Sequence, residues 1–179
     1  LPLIMVLWML MGRAIGLEFR SHINDSVWKK LCDAVFAVSS ILLAIFYGAA
    51  LGNVVRGVPL AADHYFFLPL WTNWRVGPSP GILDWYTVLS GVVALVALSL
   101  HGAHWVALKT DGDLQQRARK TSVLLSPVLL ALTLVSLIAT LSVRPDVLRN
   151  FHVAPIGYII PLVVFGSTVF MFISSRKGN

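Results

Sequence analysis

Five apolar stretches long enough to cross a lipid bilayer constrain the fold of this chain more than any other feature. They run approximately over residues 1–17, 31–55, 86–108, 121–143 and 155–173. A hydrocarbon core about 30 Å thick takes about 20 apolar residues of α-helix. Because a spanning segment must pair its own backbone polar groups, such stretches form helices. We therefore predict an all-α, polytopic transmembrane helix bundle with about five membrane spans.

The composition excludes a soluble globular domain. Hydrophobic residues make up 57% of the 179 residues and charged residues only 12%, against roughly 25% charged in soluble domains. The first apolar stretch starts at Leu1 with no charged region before it, so we predict no signal peptide. We expect residues 1–179 to be a single transmembrane domain from a longer protein, with upstream and downstream spans missing.

The basic residues predict the orientation of the spans. The connections after spans one and three and the C-terminal tail hold nine Lys and Arg, whereas the alternate connections hold four. Short cytoplasmic loops collect Lys and Arg, so the nine-charge side is expected in the cytoplasm. The net charge of +6 is then a matter of membrane topology, and no nucleic-acid partner is needed.

The connection between spans two and three, residues 56–84, is rich in proline and aromatic residues. Proline at this density opposes a regular helix. Aromatic rings with polar edges favour the headgroup layer, so we expect the segment on the outer membrane surface. The alternative is a lip that binds a quinone or a partner.

Span two carries a ridge of small residues at four-residue spacing, Ala44, Gly48 and Gly52. Such a ridge lets another helix approach closely. The approaching helix can belong to this chain or to another subunit, and the pattern does not choose between them. Asn53 is placed to hydrogen-bond across the same seam.

His101 and His104 lie one helical turn apart in span three, on one face. We find no third and fourth ligand in the neighbouring spans for a metal ion, and ligands on adjacent turns would not flank a haem. We predict that both histidines hydrogen-bond near the cytoplasmic interface. Cys32 is the only cysteine, so no intrachain disulfide is possible.

Charged residues cluster where span one ends. Arg13 is costly inside a membrane segment unless it is paired or lines a polar cavity. One prediction is that Arg13 snorkels toward the inner headgroups, with Glu18 or Asp33 as counter-ion. The sharper alternative is a buried polar track that conducts protons or orients a ligand.

Glu18 and Asp33 come from adjacent spans and form a candidate proton relay if they are partly buried. The simpler alternative for Asp33 is that it caps its helix N-terminus or pairs with Lys29. For Asp84, immediately before span three, we predict a helix cap only.

Four ordered blocks of this sequence resemble the cytochrome bd quinol oxidase subunit II family, in particular its cyanide-insensitive-like branch. They are RAIGLEFR at 13–20, WKKLCD at 28–33, GAALGNVVRGVP at 48–59 and GILDWYTVL at 81–89. The His101-Gly102-Ala103 step and the turn at 109–120 agree as well. Cys32 replaces the usual Trp before the aspartate, and His104 is also unusual. The resemblance covers roughly residues 12–120.

The resemblance implies a bacterial inner-membrane complex that oxidises quinol, reduces oxygen to water and takes protons from the cytoplasm. Haem b and haem d would lie in subunit I, and this subunit II chain would carry no haem ligand. It further implies a structural quinone near Arg13 and a proton route at Glu18. Membrane lipid and subunit I are the other expected partners.

Two rival functions stay open at this stage. A secondary transporter fragment would line its substrate path with Arg13, Glu18 and Asp33, although no inverted repeat is found. A purely structural membrane anchor or assembly factor would need no polar route at all.

Overall fold

The computed structural model describes residues 2–58, 69–77, 80–153 and 155–177, and this part of the chain is helical without strands. The helices are α1 (Pro2–Glu18), α2 (Ser26–Arg56), α3 (Trp85–Lys109), α4 (Gly112–Val143), α5 (Val147–Val153) and α6 (Ile159–Lys177). Short 3-10 turns occupy Phe19–Ser21 and Pro155–Tyr158. The chain divides into two compact units, Leu1–Leu95 and Val96–Asn179.

Four helical segments among the described residues are long and apolar enough to cross a membrane. They are Ser26–Arg56, Trp85–Lys109, Gly112–Val143 and Pro155–Ser174. The predicted polytopic all-helical fold is therefore confirmed, with four of the five predicted spans. The first predicted span forms a helix as expected, but α1 has 17 residues, about 25 Å at the α-helical rise. Its crossing of the membrane stays a prediction.

Two of the helices begin earlier than the apolar stretches suggested. The helix α2 starts at Ser26 because the Asp25 side chain caps it, accepting a hydrogen bond from the Trp28 backbone N–H at 3.1 Å. The helix α4 starts at Gly112, where the backbone has a positive φ of 70°. With 31 and 32 residues, both helices exceed the roughly 20 residues that the hydrocarbon core needs. Both helices are therefore long enough for their charged first turns to reach the headgroup layer.

In the first unit, α1 packs on α2 through two glycines one turn apart. A Cβ added at Gly12 would lie 2.8 Å from Ser39 Oγ, and one at Gly16 would lie 2.9 Å from the Cys32 carbonyl oxygen. The backbones are thus too close for a side chain at Gly16, whereas at Gly12 the neighbour is a side-chain hydroxyl. Gly12 and Gly16 form a small-residue motif of the kind that brings membrane helices together, and our sequence interpretation did not include it.

The predicted ridge on α2 faces α3 of the same unit. A Cβ at Gly48 would lie 2.7 Å from Gly91 Cα, and a Cβ at Gly52 would lie 2.8 Å from Ser90 Oγ. Ala44 is also buried. The ridge therefore packs within the chain, which was one of the two alternatives. The other alternative, that the same residues contact another subunit, stays a prediction, and these distances within the chain do not support it.

In the second unit, α4 packs against α6. The hydroxyl groups of α4 bond mainly to their own helix: Ser126 Oγ donates to the Ser122 carbonyl at 2.6 Å, and Thr140 Oγ1 donates to the Ser136 carbonyl at 2.8 Å. Such bonds satisfy a hydroxyl without a partner from another helix. The helix continues through Pro127.

Candidate functional site

Charged side chains of the first unit gather at the two ends of α2. The surface cluster, near the N-terminus of α2, consists of Arg13, Glu18, Arg20 and Asp33. The buried cluster, at its C-terminus, consists of Asn53, Arg56, Asp84 and Thr87. Asp33 and Arg56 are separated along α2 by about 35 Å at 1.5 Å per residue. The two clusters therefore lie near opposite faces of a bilayer about 30 Å thick.

The surface cluster is built around an ion pair between Arg20 and Asp33. Arg20 Nε donates to Asp33 Oδ1 at 2.6 Å and Arg20 Nη2 donates to Asp33 Oδ2 at 3.2 Å. The two side chains are 49% and 55% exposed on this chain. The hydrogen bond to Asp33 and the negative charge of that carboxylate raise the pKa of Arg20 above its ordinary value. Arg20 is accordingly a permanent cation beside α2.

Both simple expectations for Asp33 were wrong. The residue that caps α2 is Asp25, eight positions earlier, and a carboxylate at Asp33 cannot reach the unpaired N–H groups of the first turn. Lys29 Nζ instead donates to Asn24 Oδ1 at 2.8 Å. The turn at Phe19–Ser21 brings Arg20 to Asp33, and that turn was not predicted.

Arg13 and Glu18 do not form the predicted ion pair. The Arg13 guanidinium lies over the Phe36 ring, 5.3 Å from its centroid, which is a cation–π contact between α1 and α2. Glu18 is exposed at the last position of α1, and its carboxylate makes no ion pair with the described part of the chain. The surface cluster therefore holds one paired and one unpaired carboxylate. Both are exposed on this chain, so the partial burial on which the predicted relay of Glu18 and Asp33 depended is not met within it.

A small apolar pocket of about 300 Å³ adjoins the surface cluster between α1 and α2. Ile15, Trp28, Leu31 and the buried Cys32 are among its lining residues. Trp28 Nε1 donates to the Phe19 carbonyl, also at the pocket, at 2.8 Å. Arg13 lies outside the lining. The pocket therefore gives no support to a quinone held by Arg13.

The centre of the buried cluster is an ion pair between Arg56 and Asp84, whose side chains are 3% and 0% exposed. Arg56 Nη1 donates to Asp84 Oδ2 and, at 3.1 Å, to the Gly81 carbonyl. Arg56 Nη2 donates to Asn53 Oδ1 at 2.7 Å. A buried ion pair is tolerated only when further hydrogen bonds satisfy its remaining polar atoms, and here Nη1 and Nη2 of Arg56 and both carboxylate oxygens of Asp84 have partners.

Asn53 joins α2 to the segment that precedes α3. Its Nδ2 donates to the Ala49 carbonyl of α2 and to the Ile82 carbonyl, each at 2.8 Å. The predicted hydrogen bond of Asn53 to a neighbouring segment is thus present. Together Asn53 and Arg56 hold two successive carbonyls, those of Gly81 and Ile82.

Asp84 and Thr87 form a reciprocal cap at the start of α3. The Thr87 N–H donates to Asp84 Oδ1 and the Asp84 N–H donates to Thr87 Oγ1, both at 2.9 Å. This capping box satisfies two backbone donors at the helix N-terminus. The predicted cap is confirmed, but the pairing of Asp84 with Arg56 was missed.

The described part of the proline-rich connection, residues 69–77 and 80–84, contains no regular helix, in agreement with the prediction. The backbone N–H groups of Ile82 and Leu83 donate to the carbonyls of Pro69 and Leu70, each at 3.0 Å. The exposed rings of Trp71 and Trp74 pack against each other, with their centroids 5.0 Å apart. Other predicted aromatic and proline positions, at 59–68 and 78, lie outside the described residues.

The histidines of α3 do not fit a haem held between them. His101 is exposed, and His104 Nε2 is buried without a hydrogen-bond partner in the part of the chain that the structure describes. That nitrogen therefore does not form the predicted interfacial hydrogen bond there. The two rings leave one helix on adjacent turns and cannot ligate opposite faces of one macrocycle. Across the described ranges, no three His, Cys, Asp or Glu side chains group closely enough for a metal ion.

The fold and the two clusters define a polytopic helical membrane protein with charged groups at both ends of a long apolar helix. The family model for cytochrome bd terminal oxidase subunit II matches residues 1–179. The chain belongs to this family, and the resemblance seen in its sequence is confirmed. Family membership and the apolar helices together indicate a multi-pass protein of the bacterial inner membrane.

Curated relatives named as subunit 2 of a cytochrome oxidase match the chain at modest identity. The chain is 32% identical over 122 residues to the probable cytochrome oxidase subunit 2 of Haemophilus influenzae, covering 68% of this chain and 31% of the relative. It is 33% identical over 120 residues to the cytochrome bd ubiquinol oxidase subunit 2 of Bacillus subtilis, covering 67% and 33%. For the Escherichia coli K12 cytochrome bd-I ubiquinol oxidase subunit 2 the identity is 30% over 120 residues, covering 67% and 30%.

The matched segment spans about a third of the length of these relatives. None of the matched proteins is a transporter by name, and the transporter alternative is without support.

Proposed function

We propose that this chain acts within subunit II of a cytochrome bd-type terminal oxidase, which oxidises quinol and reduces oxygen to water in aerobic respiration. The observation that carries the proposal is the match of the subunit II family model to residues 1–179. In this function the chain supports a second, haem-bearing subunit I and does not itself bind the reacting oxygen.

The cytochrome family name implies haem in the complex, and we propose that haem b and haem d are held by subunit I. This assignment is consistent with the α3 histidines, whose positions on adjacent turns do not suit a haem between them. The contribution of this chain is then structural and electrostatic. A structural quinone beside Arg13 stays a prediction.

The surface cluster supports contact with a partner subunit. Charged side chains on membrane helices are tolerated when they pair, line water or face other protein. Arg13 is exposed, and its guanidinium lies over the Phe36 ring. We place subunit I against this flank, where it would shield the surface cluster from acyl chains.

Within the surface cluster, Glu18 is better suited than Asp33 to carry protons from the cytoplasm. Asp33 accepts two hydrogen bonds from Arg20, and protonating its carboxylate would give up the attraction between the two opposite charges. The Glu18 carboxylate has no such partner in the described part of the chain. A carboxylate relay has to exchange protons with its neighbours on each turnover. The pair of Arg20 and Asp33 is then a positioning element for the turn that follows Glu18.

The complex itself provides the test of the subunit assignment. The full-length subunit is purified from its native membrane with whatever copurifies, and the visible absorption spectrum is recorded. Haem b and haem d bands that travel with a larger partner are the expected result. A colourless preparation without a partner contradicts the assignment.

The proton role is tested by Glu18→Gln in complexes with full haem content. Oxygen consumption should fall roughly tenfold or more if Glu18 transfers protons. Asp113→Asn, a matched change of an exposed carboxylate in the first turn of α4, should leave the rate unchanged. Wild-type turnover in Glu18→Gln removes Glu18 from the route without affecting the subunit assignment.

A further inference from the structure

We propose that a cavity in the second unit binds one acyl chain of a membrane phospholipid. The cavity lies between α4, α5 and α6 and has a volume of about 540 Å³. Leu137 and Leu141 line it from α4, Phe151 from α5, and Pro161 and Phe165 from α6. It lies wholly within residues 96–179, and the proposal does not depend on the oxidase function.

The lining of the cavity favours an apolar ligand. Nine of its 13 residues have no polar side-chain atom, and of the four hydroxyl groups, on Thr133, Ser136, Thr140 and Tyr158, those of Thr133 and Thr140 already donate to carbonyls of α4, at 3.0 and 2.8 Å. A polar molecule would lose its hydrogen bonds to water and find few replacements, which is costly. A hydrocarbon chain loses none. The chemistry of the walls therefore selects an apolar ligand.

The volume of the cavity suits a single acyl chain. A cavity of about 150 Å³ lined by apolar side chains binds one benzene molecule, so 540 Å³ has room for roughly twenty carbon atoms. One fatty acyl chain of a phospholipid has about this size. The stacked rings of Phe151 and Tyr158, 5.1 Å apart, form one wall.

Two arginines and one aspartate, Arg144, Arg149 and Asp146, lie in or directly before the short helix α5 that lines the cavity, which gives this segment a net charge of +1. Val147 and Leu148 of the short helix α5 line the cavity, while the neighbouring Arg149 is exposed. Arg144, which ends α4, is three residues before Val147. Every phospholipid carries a negatively charged phosphate, which arginine binds well. An acyl chain in the cavity with its phosphate beside Arg149 uses both features at once.

The first experiment counts bound lipid. The intact complex that contains the full-length subunit is delipidated in detergent and analysed by native mass spectrometry. Ser136→Phe puts a ring into the cavity from α4, and Ser142→Phe makes the same change at an exposed position of α4 outside the lining. We expect a retained phospholipid in the wild type and in Ser142→Phe. In Ser136→Phe the retained amount should fall roughly tenfold, an affinity loss of about 1.4 kcal/mol.

Equal phospholipid retention in Ser136→Phe and the wild type would overturn the proposal. So would the absence of retained phospholipid from the wild type, or retention of an isoprenoid quinone in its place.

A second measurement uses the unchanged protein and so does not depend on the folding of a variant. The complex is reconstituted in vesicles of phosphatidylethanolamine and phosphatidylglycerol that contain a phosphatidylglycerol with a diazirine in its acyl chain. Light should label peptides of residues 133–165, and Arg149→Glu should reduce this label severalfold. Label confined to other peptides, or a label abolished by an equimolar isoprenoid quinone, contradicts an acyl-chain site.

Discussion

Two arginine–aspartate pairs lie at opposite ends of α2, in environments that differ sharply. The Arg20 and Asp33 side chains are about half exposed, and within the described part of the chain their side-chain hydrogen bonds join them only to each other. Arg56 and Asp84 are buried and have further hydrogen bonds to the Asn53 side chain, the Gly81 carbonyl and the Thr87 N–H. The same chemistry therefore serves different purposes. An exposed pair orients a turn at little gain in stability, whereas a buried pair must be complete or it destabilises the fold.

The largest effect is expected from Asp84→Asn, which leaves Arg56 buried without its counter-ion. Removing one partner of a buried ion pair costs about 3–5 kcal/mol. The measurement is thermal unfolding of the purified complex, with Asp33→Asn as the matched change in the exposed pair. Asp84→Asn should unfold at a much lower temperature than Asp33→Asn. Equal unfolding temperatures would show that burial does not distinguish the two pairs.

A double variant sharpens this first prediction. The double variant Arg56→Met/Asp84→Asn leaves no buried charge and keeps a side-chain oxygen as acceptor for the Thr87 N–H, so it should be more stable than either single substitution. A double variant that is less stable than both would mean that the ion pair contributes strongly to stability in itself.

The next effect concerns the close helix approach beneath the buried cluster. Gly48→Ala would put a methyl group 2.6 Å from Ala94 Cβ and 2.7 Å from Gly91 Cα, so α2 and α3 must move apart at a cost of about 1–3 kcal/mol. Gly102→Ala in α3, with nothing within 4 Å of the added Cβ, is the control. Thermal unfolding should separate the two variants. An unchanged Gly48→Ala protein would refute the close packing of the two helices.

A smaller loss is expected from the reciprocal cap. Thr87→Val keeps the shape of the side chain but removes the acceptor for the Asp84 N–H, which costs about 1–2 kcal/mol. Thr121→Val is its control, because the Thr121 hydroxyl is exposed and bonds only to the Arg117 carbonyl of its own helix. Equal stability of both variants, measured by thermal unfolding, argues against a structural role of the cap.

The smallest change in unfolding temperature is expected for Asp33→Asn in the exposed pair, and its dependence on salt concentration distinguishes it from Asp84→Asn. Raising the salt from about 0.1 M to about 1 M shortens the screening length from about 10 Å to about 3 Å. Any difference in unfolding temperature between Asp33→Asn and the wild type should then disappear. The deficit of Asp84→Asn should persist, since a buried pair is screened much less. A salt-sensitive deficit in Asp84→Asn would place that pair in contact with water.

The sequence predicted the helices well because uninterrupted apolar stretches constrain the backbone directly. Four predicted spans coincide with long apolar helices, and the small-residue spacing on α2 marked a surface that packs closely. The helix starts were predicted less well. They depend on single capping residues such as Asp25, whereas hydropathy marks only the hydrocarbon-embedded part.

The side-chain pairings were largely beyond prediction, since each depends on the path of an irregular segment. Arg56 and Asp84 are 28 residues apart, with a proline-rich connection between them. One signal was available: consecutive spans run in opposite directions, so the last turn of α2 and the cap of α3 meet at one membrane face. The pairing of Arg20 with Asp33 depends on a 3-10 turn at Phe19–Ser21, which the pattern of apolar residues does not predict.

Asn53 and Arg56 donate hydrogen bonds to two neighbouring peptide carbonyls just before α3. The position at which α3 starts therefore does not depend on the length of the connection that precedes it. The chain is fixed at Gly81 and Ile82 before α3 begins, so residues inserted earlier do not alter where the helix starts. Gly77 is exposed and has open space around it, and loop tips of this kind accept insertions. An epitope grafted at Gly77 would mark this face of the membrane while leaving the helix alignment intact.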